Sequence, residues 1–142
     1  HLQQAQMARF AQDHLMAPVA VNDLGRVAYR NPNYVLDLWG LASREALETR
    51  LSRPDPGWAA PLAARRDVPL AMIYDSWLGR SVGPDWVPLG QFVVTGPIGY
   101  LGGDTVTLYA TSTAHARDIS PKLAAFAQTL PKGAEFPPQA AE

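Results

Sequence analysis

Apolar positions along the chain fall into two kinds of pattern. From Gln3 to Leu15, Met7, Phe10, Ala11 and Leu15 recur at three- and four-residue spacing with Gln and Arg between them. That spacing predicts a helix over residues 3–15 with one buried face, ended by Pro18. Short continuous apolar runs follow: Val19-Ala20-Val21 closing in Asn22-Asp23, Tyr34-Val35-Leu36-Asp37-Leu38-Trp39 stopping at Gly40, and Leu70-Ala71-Met72-Ile73-Tyr74 ending at Asp75. The segments between them read as helical. Leu24 to Arg30 spans two turns, Ser43 caps a helix to about Leu51 with Glu45 in its first turn, and Trp58 to Arg66 packs Trp58 and Leu62 inward. Continuous apolar strands alternating with helices are the signature of parallel βαβ units, whose sheet is covered on both faces.

After Asp75 the pattern changes. Val87 to Thr95 and Thr105 to Ala110 are strand-like, and the Gly96-Pro97-Ile98-Gly99 and Gly102-Gly103 stretches between them predict a β-hairpin with a wide loop. Pro121 to Leu130 closes the fold as an amphipathic helix on Leu123, Phe126, Ala127 and Leu130, with Ser120 as its cap and Pro121 in its first turn. The expected fold is a single α/β domain over residues 1–130: a three-layer, Rossmann-like mixed sheet with a parallel βαβαβ first half, then an antiparallel hairpin and a C-terminal helix. Residues 131–142, rich in Pro, Ala and Gln, are expected to form a flexible tail.

Composition narrows the function classes. A chain of 142 residues suits one domain. Its formal net charge of −1, pI near 6.3 and scattered arginines give no footprint for non-specific nucleic-acid binding. The absence of cysteine excludes disulfides, thiol nucleophiles and cysteine zinc sites. The longest charge-free run, Trp86 to Gly103, is broken by two prolines and five glycines and makes a poor membrane helix. The chain starts at His1 with no signal peptide after it, so it is expected to be a piece of a longer protein.

Parallel strands would set Asn22, Asp23 and Asp75 at carboxyl ends, the edge where open α/β sheets bind ligands. Asp37 sits inside an apolar run and needs a partner if buried. Two accounts fit these residues: an acidic cluster gripping sugar hydroxyls or a metal, or acids in tight strand-to-helix turns, Asp23 and Asp37 capping a helix start and accepting backbone N–H bonds. Trp77 and Trp86 flank a loop carrying Gly79, Gly83 and Pro84 and are expected to be partly exposed, available to stack on a sugar ring. The glycines from Gly96 to Gly103 do not form a phosphate cradle, and Ser76 and Ser81 lack a Gly-x-Ser-x-Gly elbow. The histidines His1, His14 and His115 lack metal-ligand spacing and are expected on the surface. No catalytic residue, metal ligand or cofactor site is assigned.

The stretch Gln6-Met7-Ala8-Arg9-Phe10, then Val19-Ala20-Val21-Asn22-Asp23-Leu24-Gly25, then Val35-Leu36-Asp37-Leu38-Trp39-Gly40-Leu41-Ala42-Ser43-Arg44-Glu45, resembles the soluble C-terminal region of bacterial polytopic glycosyltransferases of the C-type fold. Ala71-Met72-Ile73-Tyr74-Asp75-Ser76-Trp77 and Gly103-Asp104-Thr105-Val106-Thr107-Leu108-Tyr109 extend the likeness over nearly the whole chain. It departs from the pattern at Leu24-Gly25-Arg26-Val27-Ala28, where such proteins often carry Ile-Gly-Ala-Ile-Gly. The resemblance implies a parent with many membrane helices that takes a sugar from a polyprenyl-phosphate donor and keeps its catalytic acid outside this region. The domain would then lie on the periplasmic or extracytoplasmic face of the cytoplasmic membrane, tethered by the parent's membrane portion. Its role would be to position a glycan or protein acceptor, or to stabilise the catalytic part, without catalysing transfer itself. Asp23 and Asp37 match motif positions to which the resemblance gives a structural or acceptor-binding role.

An alternative is a small-ligand-binding or sensor module similar to a PAS domain, since Pro18 to Asn31 also reads as a strand, an Asp-x-x-Gly turn and a second strand. That alternative requires Arg26 to Tyr29 to be extended and the sheet antiparallel, whereas the glycosyltransferase likeness requires a helix there.

Overall fold

The computed structural model describes residues 2–95 and 105–137. Helix α1 (Leu2–Arg9) continues directly into a π-helical segment, Phe10–Leu15, that ends at Met16 in the left-handed conformation. Strand β1 (Val19–Val21), the single turn α2 (Gly25–Ala28), β2 (Val35–Asp37), α3 (Arg44–Leu51), α4 (Ala59–Arg65) and β3 (Leu70–Ile73) make up the first half. After them come α5 (Asp75–Leu78) with a 3-10 turn at Gly79–Ser81, β4 (Val87–Val94), β5 (Thr105–Ala110), α6 (Thr113–Ala127) and β6 (Ala134–Glu135).

The six strands form one mixed sheet in the order β2-β1-β3-β5-β4-β6. Strands β2, β1 and β3 are parallel, whereas β5 runs antiparallel to β3 and to β4, and β6 antiparallel to β4. Every residue of β1 and β3 is buried, as expected of parallel strands covered on both sides. Side-chain alternation divides the core in two. Val19, Val21, Leu70 and Met72 join Met7, Phe10, Leu15, Val27, Ile119, Leu123 and Phe126 on one face, beneath α1, α2 and α6. Ala20, Ala71 and Ile73 join Leu36, Leu38, Ala46, Leu62 and Leu78 on the other, beneath α3, α4 and α5. Burying each large aliphatic chain contributes about 1.5–3 kcal/mol, so the two faces together outweigh any single polar contact described below.

Local chemistry explains several element ends. Ser43 caps α3 by accepting the N–H of Ala46 at 3.2 Å. Gly40 takes φ +96° because the chain must turn hard against α3 there: a Cβ would meet that of Leu47 at 2.5 Å. The helical turn at Gly25–Ala28 and the parallel pairing of β1 with β2 are not the arrangement a PAS-like opening requires.

Three expectations need correction. The final helix starts at Thr113 and not at Pro121, because Ser112 is the true cap, accepting the N–H of His115 at 3.1 Å. Pro121 lies inside α6, and Ser120 turns its hydroxyl back onto the carbonyl of Ala116 at 2.7 Å. Trp86 is buried, 8% exposed, with its ring 6.4 Å from that of Tyr109. Residues assigned to the flexible tail carry β6, where Glu135 and Ala134 pair with Val93 and Val94. The glycine-rich loop from Gly96 to Gly103, and residues 138–142, lie outside the described residues. No helix among the described residues is long and apolar enough to cross a membrane.

Candidate functional site

Because β1, β2 and β3 are parallel, their carboxyl ends share one edge of the sheet, and the acids and amide singled out in the sequence gather there. Their chemistry divides them.

Asp37 is spent on its own loop. The last residue of β2, it is 1% exposed, and its carboxylate accepts the backbone N–H groups of Trp39 at 3.0 Å, Gly40 at 3.2 Å and Ala42 at 2.7 Å. Three donors satisfy the buried charge and fix the turn that leads to α3. Of the two accounts of Asp37, the structure supports the turn, although its donors belong to a loop and not to a helix start. Asp75, the first residue of α5, reaches across to β5. Its oxygens accept the hydroxyls of Thr107 at 2.6 Å and Tyr109 at 2.7 Å. Burial, the hydrogen bond to Asp75 and the Asp75 charge, in that order, push the Tyr109 phenol well above its ordinary range.

Asn22 and Asp23 differ from these. Asn22, 4% exposed, directs Oδ1 at the N–H of Tyr74 at 2.7 Å, bridging the ends of β1 and β3. Its Nδ2 is buried with no hydrogen-bond partner among the described residues. Asp23 is held through Oδ2 by Gln4 Nε2 at 2.8 Å, while Gln4 Oε1 is also buried and unpartnered. A Cβ on Gly25 would lie 3.2 Å from Asp23 Oδ1 and 4.0 Å from Gln4 Oε1, so the missing side chain keeps space open beside both oxygens. Burial and then the Asp37 charge push the Asp23 carboxyl above its ordinary range. Buried polar atoms without a partner, such as the Asn22 Nδ2 donor and the Gln4 Oε1 acceptor, are unusual in a folded chain and call for a water or a ligand. Neither glutamine was singled out in the sequence. Both lie on the predicted helix 3–15, but nothing in its spacing says that its polar residues meet the end of β1.

Aromatic rings stand next to this polar group. Tyr74, whose hydroxyl donates to Gln3 Oε1, lies 5.4 Å from Trp77, and Trp77 lies 5.2 Å from Trp39, centroid to centroid. Arg50 extends the row, its guanidinium carbon 4.0 Å over the Trp39 ring and its Nε donating to the Trp39 carbonyl at 3.0 Å. Trp77, on α5 beside the loop it was expected to flank, is 46% exposed. Trp39 is half-buried and packs against the core beneath α3 and α4, and only the fold shows it in a row with Trp77. His14 is not a free surface histidine, since its ring packs 5.1 Å from Phe126 and 6.2 Å from Phe10. Among the described residues no group of three or more His, Asp or Glu is placed to hold a metal ion.

One protein-family model, described as a domain of unknown function (DUF8728), matches residues 1–109 and so takes in β1, β2, β3, β4 and the site. No curated protein and no solved structure matches the chain.

Proposed function

The chain belongs to the DUF8728 family, and from that premise we propose that it is a non-catalytic module that recognises a polyhydroxylated ligand, a glycan, at the carboxyl edge of its parallel strands. The observation that carries this reading is the presence, at one sheet edge, of two buried polar atoms without a partner among the described residues, Asn22 Nδ2 and Gln4 Oε1, and of the exposed Trp77 ring beside half-buried Trp39. Sugars offer hydroxyls that both donate and accept, and C–H faces that stack on indole rings. The parallel half is read as Rossmann-like: the chain moves from β1 outward to β2, then returns past β1 to β3, and ligands of such sheets bind where the direction of winding reverses. Asn22 bridges that point.

The sequence likeness to C-type membrane glycosyltransferases supports the wider assignment. In it, the domain is an extracytoplasmic accessory to a polyprenyl-phosphate-sugar-dependent enzyme, tethered by the parent's membrane portion and presenting acceptor to a catalytic centre elsewhere. No residue of this chain is assigned a catalytic role.

Titration of the isotopically labelled chain with mono- and oligosaccharides tests the reading. Saturable shifts at Asn22, Asp23 and the Trp77 indole, lost in Trp77→Ala, are expected; shifts at none of these with any sugar would overturn it. For the wider assignment, a full-length parent lacking residues 1–142 is expected to lose acceptor choice or rate. Unchanged transfer would remove the accessory role.

A further inference from the structure

Although the arginines are scattered along the sequence, the fold brings three of them to one groove. Residues 5, 8, 9 and 12 of the first helix face α2, and with Arg26, Tyr29 and Arg30 they line a concavity of about 240 Å³. Arg9 forms a fixed wall. All three of its guanidinium nitrogens are engaged, Nε donating to Gln6 Oε1 at 2.8 Å, Nη1 to Thr129 Oγ1 at 2.9 Å and Nη2 to the Thr129 carbonyl at 3.3 Å, and the guanidinium carbon lies 4.5 Å over the Phe126 ring. Gln12 Nε2 binds the groove together by donating to the carbonyl of Tyr29 at 3.2 Å. Arg26 and Arg30 are exposed, and among the described residues neither pairs with a carboxylate. Arg30 takes φ +54°, a conformation uncommon for a residue with a Cβ, and its guanidinium carbon lies 5.2 Å over the Tyr29 ring. The chain as a whole carries net charge −1, so this local excess of cations is not a by-product of a basic composition.

We propose that the groove between α1 and α2 is a binding site for a phosphate group, with Arg26 and Arg30 closing on its oxygens against the fixed Arg9. Guanidinium forks match phosphate oxygens two at a time, and a wall already held by other bonds loses little freedom on binding. The same chemistry serves a free phosphate ester and a phospholipid headgroup.

The test uses the 142-residue chain, with inorganic phosphate as one probe and vesicles of phosphatidylcholine with and without phosphatidylglycerol as the other. Phosphate is expected to give saturable shifts at the Arg26 and Arg30 Nε–H groups and the α2 amides, absent with chloride at equal ionic strength. The pair Arg26→Gln with Arg30→Asn should weaken this by about tenfold or more, asparagine being tolerated at positive φ. Arg44→Gln, at an exposed pair on α3, should leave it unchanged. Saturation by phosphate in solution supports a free ester as ligand. Retention only on phosphatidylglycerol vesicles, lost in the double variant, supports a headgroup. No response to either probe, or a response that the double variant keeps while its thermal melt stays native, overturns the proposal.

Discussion

Asn22 Oδ1 accepts the backbone N–H of Tyr74 at 2.7 Å, immediately past the last register pair that joins β1 to β3, Val21 with Met72. The bond replaces the strand pairing that has just ended and holds two chain ends side by side at the edge where the site lies. In Asn22→Leu the Tyr74 N–H stays buried with no acceptor. The expected cost is about 1–3 kcal/mol, read from the urea midpoint, and an unchanged midpoint would show that the bridge carries no stability.

Asp37 gathers three backbone donors into one loop, so removing its carboxylate strands all three at once. Asp37→Ala is expected to lose roughly 2–4 kcal/mol of stability and to loosen residues 38–42, with Asp37→Asn falling between because it keeps one acceptor oxygen. Amide hydrogen exchange at Gly40 and Ala42 is the direct measurement. Protection equal to the parent's would refute it.

Burial and the Asp37 charge hold Asp23 above its ordinary 3.8. The folded chain therefore keeps this proton at pH values where the unfolded chain has released it. By linkage the stabilising contribution is complete below about pH 3.8 and is lost as the pH rises through the raised folded value. Asp23→Asn keeps an oxygen for Gln4 and has no proton to lose. It should be more stable than the parent at neutral pH, the gap closing in acid, as urea midpoints at both pH values will show. If the site binds sugar as proposed, the same variant binds it more weakly, so stability and recognition move in opposite directions.

Among the described residues, Tyr109 is a phenol whose ionisation the fold strongly opposes, through burial, the Asp75 hydrogen bond and the Asp75 charge. Asp75→Ala removes two of these causes. The late phase of the alkaline phenolate absorbance titration should move down toward the ordinary 10.0 while staying above it, since burial persists. A late phase at an unchanged pH would mean that Asp75 does not act on Tyr109.

Much of the parallel half was legible in the sequence. Apolar runs at Val19–Val21 and Leu70–Ile73 have little choice but to be central strands, and Ser43 followed by Glu45 announces its helix. The start of α6 was misplaced because Pro121 and Ser120 mimic a helix opening. The spacing of Ala116, Ile119, Leu123 and Phe126, all buried, was the contrary signal. A two-residue strand such as β6 has no periodicity to detect. At the site, strand ends foretold which acids share an edge, but not where each side chain turns. Asp37 curls into its own loop and Asp75 crosses to β5, leaving Asn22 with the Tyr74 N–H and Asp23 with Gln4, partners that only tertiary packing could bring near.

The short pairing of β6 with Val93 and Val94, together with Phe136, whose ring would lie 2.7 Å from a Cβ on Gly90, has a further consequence for the outer margin of the sheet. Pro88, lower on β4, offers no N–H to a neighbour, so β6 and Phe136 guard the part of that strand most able to recruit another chain. A chain cut before Pro131 would bare Val93 and Val94 as an open template. Such a piece should keep much of its fold yet self-associate through β4, and so precipitate at concentrations where the intact chain stays dispersed.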